Sequence, residues 1–155
     1  MDTFSPQKRS SIMRQVRSKD TSSEKKVRSI LHKLGFRYTL NNKKLPGSPD
    51  IVLPRYKTVI FVHGCFWHRH LGCKRASIPS SRQEYWLPKF ERTVARDKSA
   101  KKQLHKMGWK VIIIWECELK YHEKLSLRLQ KISTNTCKVN RKVRAATSAI
   151  IKMRQ

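Results

Sequence analysis

A carboxylate, two imidazoles and a Cys/His cluster crowd between Pro46 and Cys73 of this chain. Asp50 closes the turn Pro46-Gly47-Ser48-Pro49-Asp50 and leads directly into the run Ile51-Val52-Leu53. A carboxylate at the mouth of a strand suits a hard cation such as Mg²⁺, which takes oxygen ligands from a rigid frame. The competing role is that of a plain turn residue. His63 ends the apolar run Thr58 to His63, where a lone histidine is readily a satisfied structural group. His68 follows Phe66-Trp67 in a Gly-flanked polar stretch, which a structural role explains less well. An imidazole there has the chemistry to take a proton from a hydrolytic water near neutral pH. Glu24 supplies a second carboxylate near the start of the first helix, and its spacing from Thr21 equally makes it half of a capping box.

Cys65, His70, Cys73 and Cys117 form a second set. Three thiols and one imidazole, spaced Cys-x4-His-x2-Cys with a distant fourth member, have the composition of a closed structural zinc site. Buried free cysteines are the alternative. Zinc is preferred because the loop has little apolar content to hold itself together. Cys137 has no evident partner. Phe66 and Trp67 lie among basic residues, where exposed rings suit stacking on bases or wedging between base pairs. Trp86 either joins them or belongs to the core.

These residues need a frame, and the periodicity supplies one. Thr21-Ser22-Ser23-Glu24 begins a helix with Val27, Ile30, Leu31 and Leu34 on one face, stopping at Gly35. Strands are expected at 36–40, 50–54 and 58–63, the last two joined as a hairpin by Arg55-Tyr56-Lys57. Arg82 to about Met107 is helical, broken or restarted near Pro88. Trp109 to Trp115 reads as a buried strand, and Leu119 to Ile132 as a further helix. The order predicts an α/β fold, a mixed central sheet of about four strands flanked by helices. Residues 1–20 form a basic N-terminal arm, 21–133 the main domain and 134–155 a basic tail.

Charge narrows the partners. The 155 residues carry 36 Lys plus Arg against 10 Asp plus Glu, a formal +26. Such a field favours a polyanion, with nucleic acid first and an anionic membrane surface second. The longest apolar runs are far too short to span a bilayer. The N-terminus has no apolar signal core, so an intracellular, cytoplasmic setting is expected, and there cysteines favour metal over disulfides.

Taken in order, these motifs resemble the very short patch repair endonucleases, the Vsr family, over roughly residues 5–133. The resemblance rests on Arg9-Ser10, Met13-Arg14, Lys19-Asp20-Thr21, Glu24-Lys25 and Leu45-Pro46-Gly47-x-Pro49-Asp50. It continues through Val59 to His68, Trp86-Leu87-x-Lys89, Arg96-Asp97 and Gly108-Trp109-Lys110-Val111 to Trp115-Glu116-Cys117. It implies a restriction-endonuclease-like fold with a structural zinc site, and a Mg²⁺-dependent nick 5′ to the mispaired thymine of a T:G mismatch. Such mismatches arise by deamination of 5-methylcytosine, and the nick starts short-patch resynthesis.

The resemblance further implies that Asp50 and the main-chain carbonyl of Val62 ligate Mg²⁺, that His68 activates water, and that His63 and Glu24 support the metal's surroundings. Phe66, Trp67 and Trp86 match the aromatic wedge, and Met13 an apolar contact in the minor groove. It implies a bacterial, nucleoid-associated monomer working on double-stranded DNA beside mismatch-repair proteins and a repair polymerase. Position 62 is Val where the family often has Thr, and residues 68–73 hold fewer histidines than usual. Two rivals remain on the residues themselves: a zinc-stabilised DNA-binding module, and a restriction-like nuclease indifferent to mismatches.

Overall fold

The computed structural model describes residues 19–134, together with Ser5, Gln7, Lys8, Ser11 and Arg14. Met13, Cys137 and the basic tail lie outside the described residues. Helix α1 (Ser22–Lys33) is followed by β1 (Thr39–Leu40), β2 (Ile51–Leu53), β3 (Thr58–His63), α2 (Gln83–Lys106) and β4 (Lys110–Trp115). A last helix, α3, spans 122–134. The strands lie in the order β1-β2-β3-β4. The first three pair antiparallel, and β4 joins β3 in parallel after the α2 crossover.

Local chemistry sets the boundaries. The Thr21 hydroxyl accepts the Glu24 N–H at 3.2 Å, and the Glu24 carboxylate accepts the Thr21 N–H in return. This is the expected capping box, which satisfies orphan donors at the start of α1. Between β2 and β3 a short 3-10 turn, Pro54–Tyr56, ends at Lys57 in the left-handed region, so Leu53 pairs with Thr58 as a hairpin. The expected first strand is reduced to two residues.

Period-two alternation divides the sheet into two faces. Ile51, Leu53, Ile60 and Ile114 pack with Val27 and Leu31 of α1 and with Leu125, Leu129 and Ile132 of α3. Val52 and Val59 pack with Leu104 of α2, joined by Phe61 and Val111. The result is a sheet between helical layers. Phe61 and His63 share the α2 face by the same alternation, so the end of β3 delivers His63 towards that long helix.

Two expectations need correction. The run expected as a buried strand forms β4, Lys110–Trp115, at the edge of the sheet, and only Ile114 of it is fully enclosed. An apolar run is the same string whether a neighbouring strand or helices cover it. Here the free edge is closed by side chains: Arg128 donates to the Ile113 carbonyl at 3.0 Å and Glu118 accepts the Trp115 N–H at 2.8 Å. Second, α2 runs through Pro88 without a break. Proline removes one N–H, so a single carbonyl, that of Glu84, goes without its helical partner.

Candidate active site

The turn before β2 is pressed against α2. A Cβ on Gly47 would stand 2.7 Å from the Ala100 Cβ and 3.2 Å from the Phe61 ring, and the φ of Gly47 is +75°, in the left-handed region that other side chains avoid. Only glycine allows this approach. It brings Asp50 to the edge of β3, where its Oδ2 accepts the Val62 N–H at 2.7 Å. Within a strand the N–H and C=O of one residue point to the same edge. The Val62 carbonyl therefore faces the side from which Asp50 approaches. Burial pushes the Asp50 carboxyl up to about 6, against the Val62 hydrogen bond that lowers it and with the Glu24 charge adding to the rise.

Three more groups gather on the α2 face. His68 Nδ1 lies 2.5 Å from Asp97 Oδ2. The His63 ring stacks on that of His68, centroids 3.7 Å apart and planes within 10°. His63 is 5% exposed and its Nδ1 is buried with no hydrogen-bond partner. Burial, and then the neighbouring His68, lowers the His63 pKa to about 4. A neutral buried imidazole beside a second one held by a carboxylate is suited to proton handling.

Glu24 is the most heavily bonded acid here. Its carboxylate accepts from the Asp20 N–H at 3.1 Å, from the Thr21 hydroxyl at 2.9 Å and from Arg28 Nη2 at 2.9 Å. The capping role is thus real, and Glu24 still lines the same cleft as Asp50, His63 and His68. That cleft measures about 1650 Å³. Small-molecule pockets run to roughly 1,000 Å³, so this is the scale of a groove for a polymer. Lys19, Lys25, Lys43, Lys89, Arg92 and Arg96 line it, which suits an anionic chain.

Phe66, Trp67, Trp86 and Phe90 form one aromatic group that reaches the groove through Trp67, with Phe66 5.1 Å from Trp67 and 5.5 Å from Trp86 by ring centroid. Phe66 and Trp67 are half-buried, whereas Trp86 is 5% exposed and serves as packing beneath any role at the surface. Lys89 Nζ sits 5.0 Å from the Trp67 ring centre, a cation-π contact that places charge beside the rings.

The Cys/His set converges as its spacing suggested. Donor atoms of Cys65, His70, Cys73 and Cys117 all lie within 4.8 Å of one another. His70 Nδ1 is 3.3 Å from Cys117 Sγ and 3.6 Å from Cys65 Sγ. Its ring is held flat against Trp115, centroids 4.1 Å apart. Burial pushes the Cys65 thiol up to about 12, so a thiolate at that position calls for a cation. Three sulfurs and an imidazole are the donor set of zinc.

Of the expected residues, the structure brings Asp50, Val62, His63, His68 and Glu24 to one cleft and the four zinc-type donors to one cluster. Met13 falls outside the described residues. Sequence reasoning gave Asp97 no role. Its signal was an isolated acid in a basic stretch, Arg92 to Lys102, but nothing local links it to His68.

Comparison with known proteins bears on the family and the fold. Residues 1–75 match the family model of the DNA mismatch endonuclease Vsr. The chain is 50% identical over 131 residues to the type II nicking enzyme V.XorIIP of Xanthomonas oryzae pv. oryzae, covering 84% of this chain and 96% of that protein. It is 42% identical over 118 residues to the DNA mismatch endonuclease Vsr of Escherichia coli K12, covering 76% and 75% respectively. Among solved structures, the catalytic domain of the homing endonuclease I-Bth0305I superposes with a TM-score of 0.53 at 22% identity, over 75% of this chain and 97% of that one. That likeness concerns the fold.

Proposed function

This chain belongs to the Vsr family of DNA mismatch endonucleases, and from that premise we propose that it nicks one strand of duplex DNA, 5′ to the mispaired thymine of a T:G mismatch, with Mg²⁺ as cofactor. The observation that supports this most is the meeting of the Asp50 carboxylate and the His68–Asp97 pair in one basic cleft. A binding module needs neither.

The division of labour follows from the contacts. Asp50 and the Val62 carbonyl are the oxygen donors for Mg²⁺. That ion, when bound, supplies positive charge for the phosphate in the transition state. His68 presents Nε2 to the attacking water because Nδ1 faces Asp97, and the carboxylate orients the ring and stabilises it once it carries the proton. His63 keeps the His68 ring in place by stacking, and Glu24 adds negative charge to the cation side of the cleft. Cys65, His70, Cys73 and Cys117 hold a structural Zn²⁺ that fixes the loop bearing His68. Phe66 and Trp67, supported by Trp86, open the base stack beside the mismatch, and Met13 contacts the minor groove.

The protein works as a monomer in the bacterial cytoplasm, and its product is a nick for a repair polymerase and mismatch-repair proteins to use. Among the described residues no helix is long and apolar enough to cross a membrane.

The test is incubation with Mg²⁺ and duplexes that carry T:G, C:G or T:A at one position, with each strand labelled in turn. A nick confined to the thymine strand of the T:G duplex is expected. Equal cleavage of all three would instead indicate a nuclease indifferent to mismatches, and tight binding with no cleavage a DNA-binding module.

A further inference from the structure

Two clusters of metal-ligating side chains exist among the described residues, and the second is made of His63, His68 and Asp97. One donor atom from each lies within 4.8 Å of the others. We propose that these three residues form an imidazole-based site that takes a borderline-soft divalent cation, Zn²⁺ above all, and that its occupation stops strand cleavage.

The chemistry of the donors separates this site from that of Asp50. Mg²⁺ is a hard ion that prefers oxygen and gives up its waters reluctantly. Two imidazoles and one carboxylate suit zinc, copper or nickel rather than magnesium. Asp50 is not a member of the group whose donors converge. A hydrolytic site that handles protons with neighbouring histidines therefore carries an intrinsic affinity for the wrong cation.

Two details of geometry favour binding. His63 Nδ1 is buried without a hydrogen-bond partner, so coordinating it breaks no existing bond and relieves an unsatisfied group. His68 Nδ1 and Asp97 Oδ2 are 2.5 Å apart, and a cation entering there takes the place of the proton they share. That proton moves to Nε2, giving the neutral tautomer that ligates through Nδ1 and leaving Nε2 unable to accept a proton. The donor atoms then move apart to the spacing of ligands on one ion. Rotation about χ2 of histidine is soft, which lets the stacked rings open towards it. His68 and Asp97 side chains are 22% and 24% exposed, so the ion has a path from the cleft.

The inhibitory half of this inference rests on the proposed role of His68. An imidazole committed to a cation no longer accepts a proton.

Protein as purified, freed of loosely held metal by gel filtration, is titrated with Co²⁺ and then with Zn²⁺. We expect an additional ion that binds without the intense near-ultraviolet band of thiolate-bound cobalt and is displaced by zinc. Its affinity should fall by at least about tenfold in His63→Ala and in Asp97→Asn and persist in Asp50→Asn, with circular dichroism unchanged in each. The same zinc concentration should stop nicking by the parent in the presence of millimolar Mg²⁺.

The inference is overturned if no such ion binds, if binding survives Asp97→Asn but is lost in Asp50→Asn, or if the ion binds and nicking proceeds unchanged. A parent that nicks no duplex at all would count against the proposed function, while the titration would still decide whether the site exists.

Discussion

His68 Nδ1 stands 2.5 Å from Asp97 Oδ2, across 29 residues of sequence, and this contact joins the zinc-type loop to the long helix α2. It fixes which nitrogen of His68 is free for chemistry. His68→Ala should lower the single-turnover nicking rate by roughly 10²-fold or more, the usual scale for a lost general base. Asp97→Asn keeps the shape and loses the charge, so it should also slow cleavage while leaving duplex binding close to the parent. Wild-type rates in His68→Ala alongside a collapse in His63→Ala would place the base on the other imidazole.

Asp50→Asn should abolish nicking and preserve most DNA affinity, since affinity comes from cations along the groove. The same variant makes a prediction about stability without Mg²⁺. Burial raises the Asp50 pKa from 3.8 to about 6, so above pH 6 the folded state carries a charge it holds less readily than the unfolded chain does. Between pH 3.8 and 6 the folded state binds the extra proton, and stability from this group falls as pH rises. A neutral amide at this position removes that cost. Denaturation without Mg²⁺ should show the Asp50→Asn variant more stable than the parent at about pH 8, with the gain shrinking as pH falls through about 6. A gain that grew on acidification would contradict the assignment.

Zinc should copurify at about one ion per chain through Cys65, His70, Cys73 and Cys117. Cys65→Ser and Cys117→Ser should lose metal and stability together, because binding and folding are coupled at closed sites. The loop between Gly64 and Ser81 contributes only Cys65 and Ala76 to the buried hydrophobic set, so a metal ion would be a main tie alongside the His68–Asp97 contact and the packing of Phe66. Elemental analysis that finds no zinc, with Cys65 and Cys117 freely reactive in the native state, would remove the clip.

What could be read from sequence was what is local. The Thr21–Glu24 box, the Val27–Leu31 face of α1 and the 53–58 hairpin are all set by residues a few positions apart, and the structure has each of them. The Cys-x4-His-x2-Cys spacing works the same way, and Cys117 could be added because it is one of few cysteines. The edge position of β4 was not legible, since Val111 to Ile114 reads alike with or without a neighbour. Nor was Asp97, whose partner lies on another element. The resemblance carried the order of motifs, but the His68–Asp97 contact needed α2 to be laid across the sheet.

The final prediction concerns how the mismatch is distinguished. Affinity should come mainly from Lys and Arg on phosphates and fall steeply with salt for every sequence. Discrimination should come from the rings, because unstacking a base step costs a few kcal/mol and less beside a weak T:G pair. Trp67 is the ring to change, being half-buried and capped by Lys89 at 5.0 Å, whereas Trp86 is 5% exposed and its loss would disturb packing. Trp67→Ala should therefore reduce the ratio of T:G to T:A binding and cleavage while leaving the salt slope nearly unchanged. Phe66→Ala should act in the same direction. The measurement is binding of parent and variant to matched and mismatched duplexes across a salt series. If Trp67→Ala keeps its mismatch preference and shifts the salt slope instead, the ring is there to hold Lys89 and its neighbours against phosphate, and the wedge lies elsewhere.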